Sequence, residues 1–173
     1  MEKLLPISSS VLLILLFACN TIENKGKEVL DKTSNKLSEK KEQLVDKVVK
    51  HFDAHTPDTK WNKLRFQEFF GFTPPEDVKE IYCAADEMGI NQKYAFSFVC
   101  NSDTLQSIIK HLKLTPTEKP DNSSEGLQPD FSWWDKEKTK TITPYSYNYK
   151  DRYFRLLWYD KENKRVYYLD YDL

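Results

Sequence analysis

The chain has 173 residues and a formal net charge of −1, from 26 lysines and arginines against 27 acids. Such balance sets up no field to draw in a polyanion, so nucleic-acid binding has no support. Aromatic residues make up 14% of the chain and glycines number only 4, which excludes a chain disordered throughout.

In chain order, Lys3 precedes an apolar run from Leu4 to Phe17, broken only by Pro6 and Ser8 to Ser10. The run is short of the roughly 20 apolar residues that cross a bilayer, and it has the length and flanks of a secretory signal. It ends Leu16-Phe17-Ala18-Cys19, with polar sequence from Asn20. A small residue directly before this cysteine resembles the lipobox of bacterial lipoproteins. The resemblance implies a diacylglyceryl group on the Cys19 thiol, cleavage of residues 1–18 and acylation of the new amine. Two or three acyl chains, at about 0.8 kcal/mol per buried methylene, hold a protein on its membrane. It also implies a place in the cell envelope, with Asn20 in place of the aspartate that retains such proteins in the inner membrane, which leans towards the outer membrane. The covalent lipid is the only non-protein group the sequence implies; no cofactor and no metal site is expected.

Residues 19–56 read as the lipidated cysteine and a helical stalk. Lysines and acids alternate from Asn24 to Asp53, with Leu30, Leu37 and Leu44 at heptad spacing and Val48 and Phe52 continuing the stripe. A tether is the simpler reading, and a short coiled coil is the other. His51 and His55 stand four apart, but Phe52 occupies the place where a zinc hydrolase carries its glutamate base. They read as a solvated helix end, closed by Thr56-Pro57.

Residues 57–173 read as one α+β domain of short helices packed on an antiparallel sheet of three or four strands. Asp58 or Thr59 caps a helix with Trp61, Leu64 and Phe69, stopped by Gly71. Thr73-Pro74-Pro75 opens a second helix, with Val78, Ile81, Tyr82, Ala85 and Met88 on one face and Gly89 at its end. Tyr94 to Asn101 alternates as a strand, Tyr94, Phe96, Phe98 and Cys100 against Ala95, Ser97 and Val99. Leu105, Ile108, Ile109 and Leu112 mark a helix from Ser102. Thr115 to Asp130 reads as a long loop.

An oxidising compartment favours a disulfide between Cys83 and Cys100. On the predicted helix Cys83 faces away from the strand that carries Cys100, and a bridge needs Cα atoms within about 7 Å. A bridge and a pair of free thiols both stay open.

Residues 131–173 hold more than half of the aromatic side chains. Tyr145, Tyr147 and Tyr149 alternate with Ser146 and Asn148 as a strand. Tyr153 to Tyr159 and Arg165 to Tyr171 flank Asp160-Lys161-Glu162-Asn163-Lys164 as a hairpin, with Asn163 suited to positive φ. Both hairpin strands are apolar on both faces, so they need cover on both sides, from the helices and from Trp133-Trp134. Asp170 falls on the face of Val166 and Tyr168, within reach of Arg155 across the hairpin. The Leu157-Trp158-Tyr159-Asp160 hairpin resembles that of small bacterial envelope lipoproteins, a resemblance that implies no activity.

No nucleophile elbow, phosphate loop, dinucleotide fingerprint, paired glycosidase carboxylates or calcium loop is present, so no catalytic residue is expected. The first reading is a non-enzymatic, membrane-anchored module that binds a protein partner, with an immunity-type protein as one version. The second is a glycan or peptidoglycan binder that stacks sugars on Trp133, Trp134, Tyr145, Tyr147 and Tyr149. A hydrolase with an unseen site is the third.

Overall fold

The computed structural model describes residues 36–42, 50–86, 92–117 and 122–173. The expected signal peptide, Cys19 and most of the expected stalk lie outside the described residues. Of the residues expected to form the stalk, 36–42 form a helix, α1. The chain divides into two compact units, Met1–Lys50 and His51–Leu173. Residues His51 to Thr56, read above as the end of the stalk, belong to the second unit.

The second unit is α+β. Its elements are α2 (Lys60–Phe70), β1 (Lys79–Asp86), β2 (Lys93–Val99), α3 (Ser102–Leu112), β3 (Thr115–Pro116), a 3-10 turn (Asn122–Leu127), α4 (Lys136–Thr141), β4 (Tyr145–Tyr149), β5 (Tyr153–Asp160) and β6 (Arg165–Asp172). The strands form one six-stranded sheet in the order β1-β2-β6-β5-β4-β3, with every described pairing antiparallel. The expected three or four strands become six, because residues 79–86, expected as a helix, form β1 and because β3 lies in the expected loop.

Residues 79–86 satisfy both periods. Val78, Ile81, Tyr82 and Ala85 suit a helix, yet Ile81 and Cys83 also alternate, and both are fully buried. Pairing with β2 decides between them, since a helix here would leave one side of β2 without ladder partners. Glu80, at φ 55, lies where the β1–β2 register slips between Lys79 and Tyr82. Its side chain pairs with Arg165.

The two helices read from periodicity are present with their caps. Thr59 accepts from the Asn62 amide to start α2, and Gly71 closes it at φ 82. Asn101 accepts from the Thr104 amide to start α3. They cover one face of the sheet. Phe66 and Phe70 pack edge-on against Phe98, Phe96 and Tyr168 at centroid separations of 5.1 to 5.4 Å. Leu105, Ile108 and Leu112 extend this core over Leu157 and Val166.

The other face is covered by residues 122–144. Trp134, Leu156, Trp158, Tyr167 and Leu169 form its buried cluster, with Leu127, Trp133 and Ile142 against it. Trp134 donates its indole N–H to Gln128 and packs edge-on against Trp158 and Tyr167. The expected two-sided cover of the hairpin is therefore present.

Residues 51–58 form a strap around the β1 edge. Asp53 accepts from the His55 and Thr56 amides at 3.0 and 2.8 Å, a local turn that competes with the helix end expected there. Asn62, fully buried, donates to the carbonyls of Asp53, Thr56 and Ile81 and accepts from the Asp53 amide. Asp58 accepts from the amides of Glu80 and Ile81, at 3.0 Å each. An open strand edge is a template for aggregation, and Asp58 and the strap close this one.

Candidate partner-binding face

Beyond α3 the helix-side face of the sheet comes to the surface on β4 and β5. The register sets Tyr145 opposite Leu157, Tyr147 opposite Arg155 and Tyr149 opposite Tyr153. It continues onto β6, with Arg155 opposite Asp170 and Leu157 opposite Tyr168. Paired residues of antiparallel strands share a face, so these side chains form one surface.

Burial is graded across it. Tyr168 is fully buried and Asp170 is 4% exposed. Tyr145 and Tyr147 are half-buried against the core, and Tyr149 is 51% exposed. Asp170 organises the rest. Its Oδ2 accepts from the Tyr153 hydroxyl at 2.7 Å and from the Tyr168 hydroxyl at 2.9 Å, and lies 3.5 Å from Arg155 Nε. Arg155 Nε also donates to the Tyr153 oxygen at 3.0 Å. The Arg155 guanidinium then sits 5.5 Å from the Tyr147 ring centre and 5.0 Å from that of Tyr153. Lys150 stands over the Tyr149 ring at 5.1 Å.

The electrostatics follow from burial. Burial pushes the Asp170 carboxyl above the usual carboxylate range, against the pull of both phenols and Arg155. Burial, with Asp170 beside it, pushes the Tyr153 phenol up to about 12. Tyr168 goes well above its ordinary value, again through burial first. The phenols therefore stay protonated donors at neutral pH, and Arg155 is locked in place by a carboxylate that water scarcely reaches. The Asp170–Arg155 approach expected across the hairpin is present.

The five aromatic residues read as one ligand surface do not come together. Tyr145, Tyr147 and Tyr149 lie on the helix side. Trp133 and Trp134 lie on the opposite side, where they fill structural roles. Trp133 is stacked between Phe131 and Tyr82 at 5.1 and 5.6 Å and donates to the Ala54 carbonyl, fastening the strap. The cause is topological, because residues 122–144 cross to the far face of the sheet before β4 enters it.

Cys83 and Cys100 are free and buried. Cys83 pairs in register with Phe96, four residues along the chain from Cys100, or about 13 Å at strand rise. The disulfide reading is thus replaced by two packed thiols. Cys83 faces the core, not away from it, because its segment is a strand. Its Sγ donates to Asn62 Oδ1 at 2.9 Å. Burial pushes both thiols up to about 12, which removes the thiolate on which cysteine reactivity depends.

His51 and His55 are drawn to different rings, Trp61 at 5.5 Å and Phe131 at 6.1 Å. Among the described residues no three histidine, cysteine or acidic side chains come together to hold a metal ion, and no described helix is long and apolar enough to cross a membrane. The residues of this candidate face that sequence reasoning undervalued are Tyr153 and Arg155. Their signal was the two-residue spacing that places both beside Tyr147 once β4 and β5 are paired. Comparison with protein-family models, with curated proteins and with solved structures found no match.

Proposed function

We propose that this chain is a lipid-anchored envelope protein, fixed through Cys19, whose α+β domain binds a protein partner through the β4–β5 face. The observation that carries the reading is the Tyr147–Tyr149–Tyr153–Arg155 surface, graded from half-buried to exposed, with Tyr153 and Arg155 held by Asp170. Tyrosine and arginine dominate the energetics of protein interfaces because they bury large area with few rotors and keep polar tips. Here their geometry is set before binding, which lowers the ordering cost of association. The chain enters the domain at the β1 edge, while the tyrosines lie on β4, four strand spacings or about 19 Å across the sheet. Separation of Trp133 and Trp134 from the tyrosines weakens the sugar-stacking alternative, and an immunity-type role remains one version of the partner reading.

The test uses the mature chain, tagged, as bait on solubilised envelope and on isolated peptidoglycan side by side. One stoichiometric protein, lost at least tenfold with Tyr149→Ala at unchanged melting temperature, supports the reading. Retention on peptidoglycan alone, or a partner indifferent to Tyr149, overturns it.

A further inference from the structure

A cavity of about 720 Å³ opens at the other end of the tyrosine row. One wall is α3, with Leu105 and Gln106. A second is the β3–β4 connection, with Ile142 and Pro144. The third is the β5–β6 turn, with Lys161 and Lys164. Tyr145, first of the tyrosine row, lines it as well. The volume lies within the range of binding pockets, roughly 300–1,000 Å³.

The walls are tied together. The Cys100 amide donates to the Lys164 carbonyl at 2.9 Å, and the Tyr159 hydroxyl to the Cys100 carbonyl at 3.3 Å. Across the opening, Thr117 donates to the Pro144 carbonyl through both its amide and its hydroxyl. The cavity is thus preformed.

Its charge is one-sided. None of the twelve lining residues is acidic, and two are lysines. The β5–β6 turn sorts its own charges. Its acids, Asp160 and Glu162, are taken up by Lys138 of α4 at 3.4 and 2.8 Å, and Asp160 also accepts from Asn163. Lys161 and Lys164 line the cavity and make no ion pair among the described residues. The start of α3 is already met by Asn101 and Asp77, so the lysines are the unneutralised charge. Lys138 carries one charge against those two acids, so the turn and its partner keep a net positive charge of one, presented by two lysines on the cavity side. A positive rim over an apolar floor complements an anion attached to an apolar chain.

We propose that this cavity receives an extended acidic segment of the partner, with a carboxylate at Lys161 and Lys164 and an apolar side chain on Leu105, Ile142 and Tyr145. The inference rests on the partner-binding reading and names the chemistry that the β4–β5 face would meet at this end.

The probe is a random twelve-residue peptide library displayed on phage, panned on the full chain in detergent. Three forms are compared: the unmodified chain, Lys161→Glu with Lys164→Glu, and Lys60→Glu with Lys63→Glu as an equal charge change elsewhere. Enrichment of peptides that combine acids with apolar residues is expected on the first and third forms. Binding of those peptides should fall at least tenfold on the second, and weaken as salt rises. Enrichment without acidic bias, equal binding to the Lys161/Lys164 variant, or no enrichment overturns the proposal. Displacement of the selected peptides by millimolar inorganic phosphate would also overturn it, and assign the site to a free anion. If the cavity selects acidic peptides while Tyr149→Ala leaves partner capture intact, the cavity stands and the β4–β5 reading falls.

Discussion

Asp170 and Asn62 are polar residues placed where apolar ones usually go, and each earns its place by the number of donors or acceptors it satisfies. Asn62 joins the strap, α2 and β1 with one side chain, so its loss would leave three buried or half-buried carbonyls without that donor. Asp170 differs in carrying charge. Because burial raises its folded-state pKa, the folded chain holds a proton that the unfolded chain has already released just above the ordinary carboxylate range. Its contribution to stability therefore falls as pH rises through that window. Asp53 acts in the opposite sense, since amide hydrogen bonding from Thr56 lowers its pKa and its contribution is lost as pH falls. Asp170→Asn keeps an acceptor for Tyr153 and Tyr168 and removes the charge. In urea unfolding at a series of pH values, the stability of Asp170→Asn relative to the parent should climb as pH rises from the ordinary carboxylate range. A pH-independent difference would show that Asp170 titrates as an exposed acid.

The helices show how local chemistry and a neighbour act together. Gly71 ends α2 in the left-handed region, at φ 82, and a Cβ there would run into the ring of His111 on α3. His111 is exposed, as its place on the polar side of α3 predicts, yet its ring lies over Gly71. Gly71→Ala thus meets two separate penalties, left-handed strain of about 1–2 kcal/mol and a steric one. His111→Ala should relieve only the second. Denaturant unfolding of both single variants and the double variant should give a non-additive cycle, with the double more stable than Gly71→Ala alone. An additive cycle would mean that the imidazole simply turns away. The turns carry a smaller correction. Asn163 does not take the positive φ expected of it; Lys164 does, at 52, while Asn163 donates to Asp160. The β4–β5 turn uses Lys150 and Asp151 at φ 55 and 54, consistent with the paired positive φ values that suit tight hairpins.

Taken as one body, the domain is a sheet with two unlike covers. Helices α2 and α3 bring an aromatic and aliphatic face, while residues 122–144 bring short helical turns and connecting loop pinned by Trp133 and Trp134. The last strand, β6, lies between β2 and β5, and all but its end residues are buried. The chain thus closes its sheet with its final residues, which makes long-range pairing central to folding. The second cover should be the weaker of the two, because it depends on few large side chains. Trp134→Ala should cost about 3–5 kcal/mol and expose Trp158 and Tyr167. Hydrogen exchange should then show faster exchange on residues 122–144 than on α2 and α3. Equal loosening of both covers would show that the sheet melts as a unit.

The elements legible from sequence are those whose signal is local. The α3 stripe, the alternation of β2, the hairpin and the need of β5 and β6 for two covers all follow from side-chain period and turn chemistry. Gly71 and Thr59 likewise declare their caps within a few residues. Tertiary structure decided the rest. Residues 79–86 satisfy a helix and a strand alike, and only the unpaired edge of β2 selects the strand. That selection turns Cys83 inward, separates it from Cys100 and removes the bridge. The side of the sheet on which Trp133, Trp134 and the three tyrosines fall depends on where residues 122–144 cross it, a distance relation no local pattern encodes. The face formed by Tyr147, Tyr149, Tyr153 and Arg155 exists because β4 pairs with β5 in one register, and a one-residue slip would turn every one of those side chains to the other face.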